Sequence, residues 1–132
     1  MAARRSVSAT INEARNHMRY MLLICPDPSV ELSAQERSRI GPEVEAWVKE
    51  MDGRGVRLEG HELAPVADAT TIRVRRDEVL IADGPFAETK EQIAGFDVLE
   101  CSNLDEALEV AAKHPVARFG AVELRPFGEP AV

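Results

Sequence analysis

Four ionisable residues crowd one short stretch of the chain, Asp83-Gly84-Pro85-Phe86-Ala87-Glu88-Thr89-Lys90-Glu91. A carboxylate at the end of a strand and facing a cleft can act as a general base or orient a substrate, which makes Asp83 the first catalytic candidate. The same side chain can instead fix the bend by accepting hydrogen bonds from backbone groups around Gly84. Gly84 allows a positive φ, Pro85 sets the exit direction, and Phe86 is expected to plug the core. Glu88, Lys90 and Glu91 are candidate substrate-binding groups, with Lys90 suited to hold a carboxylate or enolate; the alternative is a solvated cluster of mutual ion pairs. His61, on the charged side of a strand, is the second acid–base candidate. His114, just before Pro115 at a helix end, is either a further substrate contact or a cationic ring resting on the carbonyl ends of that helix.

Other chemistries find little footing. No His-x-x-x-His or Cys-x-x-Cys pair and no EF-hand spacing is present, so no metal is expected. No glycine-rich phosphate loop follows the first strand, and no cofactor is implied. Ser33, Cys25 and Cys101 lack an evident His-plus-acid partner for nucleophilic catalysis.

The elements that must position these groups follow from periodicity. Tyr20 to Cys25 is an uninterrupted apolar run ended by Pro26-Asp27-Pro28, the pattern of a strand covered on both faces. Ser33 and Glu36 form a capping box, and Ile40, Val44, Trp47, Val48 and Met51 fall on one helical face. Gly41-Pro42 interrupts that stretch, giving either a fresh helix or a kink. Gly53 and Gly55 close it. Val56 to Glu62 alternates as a second strand. Thr71–Arg75 and Val79–Ala82 pair as a hairpin about Arg76-Asp77-Glu78. Gly95 to Cys101 returns to strand. A second helix is capped by Asn103, carries Leu104, Ala107, Leu108, Ala111 and Ala112 as its apolar face, and stops at His114-Pro115. Phe119 to Arg125 is the last strand. The order is that of a ferredoxin-like βαββαβ unit with an inserted hairpin, an α+β fold with one antiparallel sheet and two helices on one face. Something must cover the other sheet face, and a second copy of the chain is the simplest cover, so a homodimer is expected.

The 132 residues are one domain's worth, 45% hydrophobic and 30% charged, with a net charge of −7. Arg4, Arg5, Arg15 and Arg19 face only Glu13 near the start, so the body of the chain is more acidic than the net charge indicates. An acidic body with few aromatics repels phosphate backbones, which excludes direct nucleic-acid binding. No apolar run is long enough to span a membrane. Two cysteines do not make a disulfide scaffold; they read as buried thiols of a reducing cytoplasm. Residues 1–18 read as a flexible cationic leader, 19–127 as the domain and 128–132 as a tail.

The stretch Asp83 to Glu91, running on to Ile93-Ala94-Gly95-Phe96, resembles the DGPF branch of the YCII-related family. Leu63-Ala64-Pro65, Asp105-Glu106-Ala107, His114-Pro115 and Val122-Glu123-Leu124-Arg125-Pro126 agree with it in type and order. The resemblance covers about residues 19–127 and implies a dimeric α+β barrel. Its members are mostly uncharacterised small bacterial proteins, some encoded beside extracytoplasmic-function sigma factors. More distant relatives include a dehydrochlorinase in which a histidine of the first helix pairs with an aspartate; here Ser33 to Asp52 holds no histidine. The resulting expectation is a protein that binds, and acts by lyase or proton-transfer chemistry on, a small anionic or aromatic molecule in a cavity between the facing sheets of the dimer. The alternative is a non-catalytic regulatory module that works with a sigma factor.

Overall fold

A computed structural model describes residues 17–86 and 92–128. Glu88, Lys90 and Glu91, and the leader as far as residue 16, lie outside the described residues. Six strands and two helices follow in the order β1 (Met18–Pro26), α1 (Ala34–Gly53), β2 (Arg57–Glu62), β3 (Thr70–Arg75), β4 (Glu78–Asp83), β5 (Gly95–Cys101), α2 (Leu104–Ala112) and β6 (Gly120–Pro126), with 3₁₀ turns at Val66–Asp68 and Pro115–Arg118. The four strands β2-β5-β1-β6 form one sheet in that order, every pairing antiparallel. The fold is α+β and consistent with a ferredoxin-like arrangement.

Local chemistry sets the helix starts. Ser33 Oγ accepts the Glu36 N–H at 3.0 Å while Glu36 Oε1 accepts the Ser33 N–H at 2.9 Å, closing the expected capping box. Asn103 Oδ1 accepts the Glu106 N–H at 2.9 Å at the start of α2. Of the two readings of Gly41-Pro42, the fresh helix does not occur: α1 runs through Pro42 as a single helix. Gly55, at φ +74°, takes the left-handed conformation just past its end.

Register decides which side chains meet. Leu22 pairs with Asp97 and Leu124, and Tyr20 with Leu99, so Tyr20, Leu22, Ile24, Asp97, Leu99, Val122 and Leu124 share the face beneath the helices. Tyr20, Leu22 and Leu99 there join Trp47 and Met51 of α1 and Ala107, Val110 and Ala111 of α2 in one buried cluster. Burial of each large apolar side chain contributes about 1.5–3 kcal/mol. Trp47 Nε1 donates to the Val110 carbonyl at 3.0 Å and ties the two helices. Arg54 adds a fork onto Glu109 (2.7 and 3.0 Å) outside. Cys25 and Cys101 are not bridged; burial pushes the Cys101 thiol up to about 11, which keeps it protonated and unreactive.

Two expectations are corrected, on α2 and at Phe86, and the expected hairpin forms. The buried stripe of α2 is Ala107, Val110 and Ala111, whereas Leu104 and Leu108 are half exposed. Phe86 does not plug the core: it is 75% exposed, with the Arg73 guanidinium 4.9 Å over its ring. The hairpin pairs only with itself, as a two-stranded sheet apart from the main one. Its tight turn holds Arg76 and Asp77 at φ 51° and 64°, the positive values a two-residue hairpin loop requires.

Candidate ligand-binding site

The strand β2 slips by one residue between Arg57 and Glu59, so that Arg57 pairs with Leu99 and Gly60 with Asp97. Both Arg57 and Asp97 are thereby placed beneath the helices. Arg57 Nε donates to Asp97 Oδ1 at 2.7 Å, and its Nη1 donates to Asp52 Oδ1 at 3.1 Å. The absent side chain of Gly60 is what makes room: a Cβ there would collide with Asp97 Oδ1 and stand 2.6 Å from Arg57 Nη2. Burial raises the Asp97 carboxyl above the ordinary aspartate range, a push the Arg57 hydrogen bond and charge partly reverse.

His114 caps the 3₁₀ turn Pro115–Arg118, its Nδ1 accepting the Val116 N–H at 3.1 Å. The neutral ring therefore carries its proton on Nε2. The ring is 3% exposed and meets Trp47 nearly edge-on, with centroids 4.7 Å apart. Burial pulls its pKa down to about 4. The cationic ring expected at this helix end is thus a neutral one at physiological pH, because desolvation of the imidazolium outweighs the attraction of the helix carbonyls.

Asp97 and His114 line the same cavity of about 290 Å³, between the middle of α1 and the ends of β1, β2 and β5. Its wall is mainly apolar, from Ile24, Val44, Val48 and Val116, and Arg57, Gly60 and Glu62 complete its β2 side. Among the described residues no buried side-chain nitrogen or oxygen lacks a hydrogen bond, yet Asp97 Oδ2 and His114 Nε2 make none. Both atoms are therefore reachable from the cavity that their residues line. A neutral N–H donor and a carboxylate acceptor face one apolar space.

The candidates expected from sequence are spread more widely. His61 belongs to the other face of β2; its ring is exposed, tilted against Phe96 and 3.7 Å from Glu59, and the residue reaches the cavity only at its rim. Asp83 is exposed at the end of β4, and the bend after it is held by Thr71 Oγ1 donating to the Gly84 carbonyl (2.8 Å) and by Gly84 N–H donating to the Ala69 carbonyl (2.7 Å). His114 alone of these enters the cavity deeply. Sequence reasoning missed Arg57 and Asp97; the available signal was an aspartate sharing the parity of buried Leu99. Among the described residues, no three His, Cys, Asp or Glu side chains cluster as around a metal ion, and no helix is long and apolar enough to cross a membrane.

An antiparallel sheet backed by two helices, with a small polar-handled cavity beneath the longer helix, defines a small α+β protein. The YCII-related domain model matches residues 18–129, and the chain belongs to that family. It is also 41% identical over 98 residues to an uncharacterised protein of Rhizobium meliloti, a match covering 61% of this chain and 79% of the relative.

Proposed function

We propose that this chain is a small-molecule-binding protein whose ligand occupies the cavity between α1 and the sheet. One observation carries the reading: two side chains more than nine-tenths buried, Asp97 and His114, each leave a polar atom without a protein partner in the same mainly apolar space. A carboxylate oxygen and an N–H donor that open onto one mainly apolar space are polar handles a ligand can engage, whereas a fold that only needed a core would pair such atoms or omit them. Lyase or proton-transfer chemistry fits a carboxylate held in such a space, and the YCII-related membership together with the Asp83 to Glu91 stretch supports the DGPF branch.

We further propose that the protein is a homodimer. Met21, Leu23, Phe96 and Ala121 are half buried on the sheet face that carries no helix. Ile72, Val74, Val79 and Ile81 share one face of the hairpin, each more than half exposed. A second copy brings sheet to sheet and covers both with one two-fold contact.

A fragment screen followed by amide chemical-shift mapping tests the site. Binders are expected to move the resonances of Val44, Val48, Gly60, Asp97 and Val116, and Val48→Phe, which fills the cavity, is expected to abolish the shifts while the protein stays folded. Binders that map elsewhere, or that bind Val48→Phe undiminished, overturn the assignment.

A further inference from the structure

We infer that the cavity selects a small ligand without negative charge that carries a hydrogen-bond donor for Asp97 and an acceptor for His114, the pattern of a hydroxylated aromatic or alicyclic carbonyl compound. The inference rests on the binding role proposed above and specifies its chemistry.

Size comes first. A cavity of about 290 Å³ sits at the small end of the range of small-molecule sites and suits a single-ring molecule better than a larger one. The apolar wall of Ile24, Val44, Val48 and Val116 suits a ring or a compact hydrocarbon body.

The polarity of each handle follows from its bonds. His114 spends Nδ1 as an acceptor on the Val116 N–H, so Nε2 offers a hydrogen and only a hydrogen. Its complement is a carbonyl, ether or hydroxyl oxygen. Asp97 spends Oδ1 on Arg57, and Oδ2 of a carboxylate bound to a guanidinium only accepts. Its complement is a hydroxyl or N–H.

Charge disfavours anionic ligands. The one guanidinium in the wall, Arg57, is already shared between Asp97 and Asp52. The His114 ring is neutral, and Glu62 adds negative charge at the rim. A carboxylate ligand would thus lose its hydration without gaining a cation of its own. Of the two ligand classes the sequence brought to mind, the aromatic one is retained and the anionic one set aside.

Four probes separate these demands: 4-hydroxyacetophenone has both handles, acetophenone lacks the donor, 4-ethylphenol lacks the acceptor, and 4-hydroxybenzoate is an anion of similar size. Titrations of the full chain, followed at the cavity amides, are expected to give 4-hydroxyacetophenone an affinity about tenfold above acetophenone and 4-ethylphenol, as loss of one hydrogen bond implies, with 4-hydroxybenzoate weakest. His114→Asn keeps an acceptor for the Val116 N–H but withdraws the Nε2 donor. It is expected to erase the preference over 4-ethylphenol and to keep the preference over acetophenone. Arg57→Met/Asp97→Leu, matched in volume, is expected to do the reverse. Probes that move the cavity amides with affinities within threefold of one another, or with 4-hydroxybenzoate tightest, overturn this inference and leave the binding role intact. If neither the probes nor the fragment screen moves those amides, both fall.

Discussion

Gly60 lies directly across the ladder from Asp97, and the hydrogen it carries in place of a side chain is what lets the carboxylate lean over β2 to reach Arg57. The ion pair, the β2 slip and the glycine form one unit. Without the slip between Arg57 and Glu59 the guanidinium would sit on the opposite face of the sheet.

Gly60→Ala is expected to destabilise the protein by about 1–3 kcal/mol, because the new methyl must displace Asp97 or Arg57 and so breaks the geometry of their ion pair. Gly41→Ala is the matched control. A Cβ at Gly41 meets nothing within 4 Å, and replacing a helical glycine stabilises by up to about 1 kcal/mol. Urea unfolding of the two variants checks the opposite signs, and the Arg57 Nε–H resonance should lose its hydrogen-bonded shift in Gly60→Ala alone.

Arg57→Ala is expected to be the most costly single change at the site, about 3–5 kcal/mol, since it strands a carboxylate that is 6% exposed. The volume-matched double variant Arg57→Met/Asp97→Leu removes both charges and is expected to fall within about 1 kcal/mol of wild type or to exceed it. Chemical denaturation of the two variants and the parent measures the difference. A double variant as unstable as Arg57→Ala would mean that the pair stabilises by more than the satisfaction of its own charges.

How far the sequence reaches depends on whether the cause is local. Ser33 with Glu36 and Asn103 with Glu106 are legible because each cap is closed within four residues. Trp47 and Met51 are legible as core because one helical face suffices to place them. Leu104 and Leu108 mislead because hydrophobicity is read without size: Ala107, Val110 and Ala111 form a competing stripe of smaller side chains, and that stripe is the one buried. Phe86 misleads for a related reason, its ring finding Arg73 across the hairpin rather than the core.

The site itself is the least legible part. Arg57 and Asp97 are 40 residues apart and meet only through the pairing of β2 with β5 and its one-residue slip, which no local pattern announces. His114 was visible as a residue, but its protonation was not. Its neutrality comes from Trp47 and the 3₁₀ turn closing around the ring, a property of packing rather than of the helix end it follows.

The proposed dimer can be broken without touching the cavity. Leu23 lies on the uncovered sheet face and Ile81 on the apolar face of the hairpin. Leu23→Glu and Ile81→Glu are each expected to halve the mass measured by light scattering at micromolar concentration, since a carboxylate buried in such a contact costs several kcal/mol. Leu104→Glu, on the outer side of α2 and already 52% exposed, is expected to leave the mass unchanged. A wild-type protein that scatters as a single chain would remove the dimer.

Acid titration gives the sharpest test of the His114 environment. In the unfolded chain its imidazole takes up a proton near pH 6.5, whereas in the folded protein it resists until about 4. Between these values the unfolded state binds the extra proton, so stability is fully present above about pH 6.5 and is lost as the pH falls toward 4. At 1.36 kcal/mol for each pH unit, the loss approaches roughly 3 kcal/mol across that window. Asp97, raised by burial, acts with the opposite sign just above the ordinary aspartate range, so the difference between wild type and His114→Asn isolates the histidine. That difference is expected to narrow by about 3 kcal/mol from pH 7 to pH 4, from wild-type advantage toward parity. Trp47, the chain's one tryptophan, touches the ring and supplies a second readout: its emission should change near pH 4 in the wild type and stay flat there in His114→Asn. A wild-type transition near pH 6.5 would show an imidazole in ordinary contact with water rather than one held in a desolvated, mainly apolar wall.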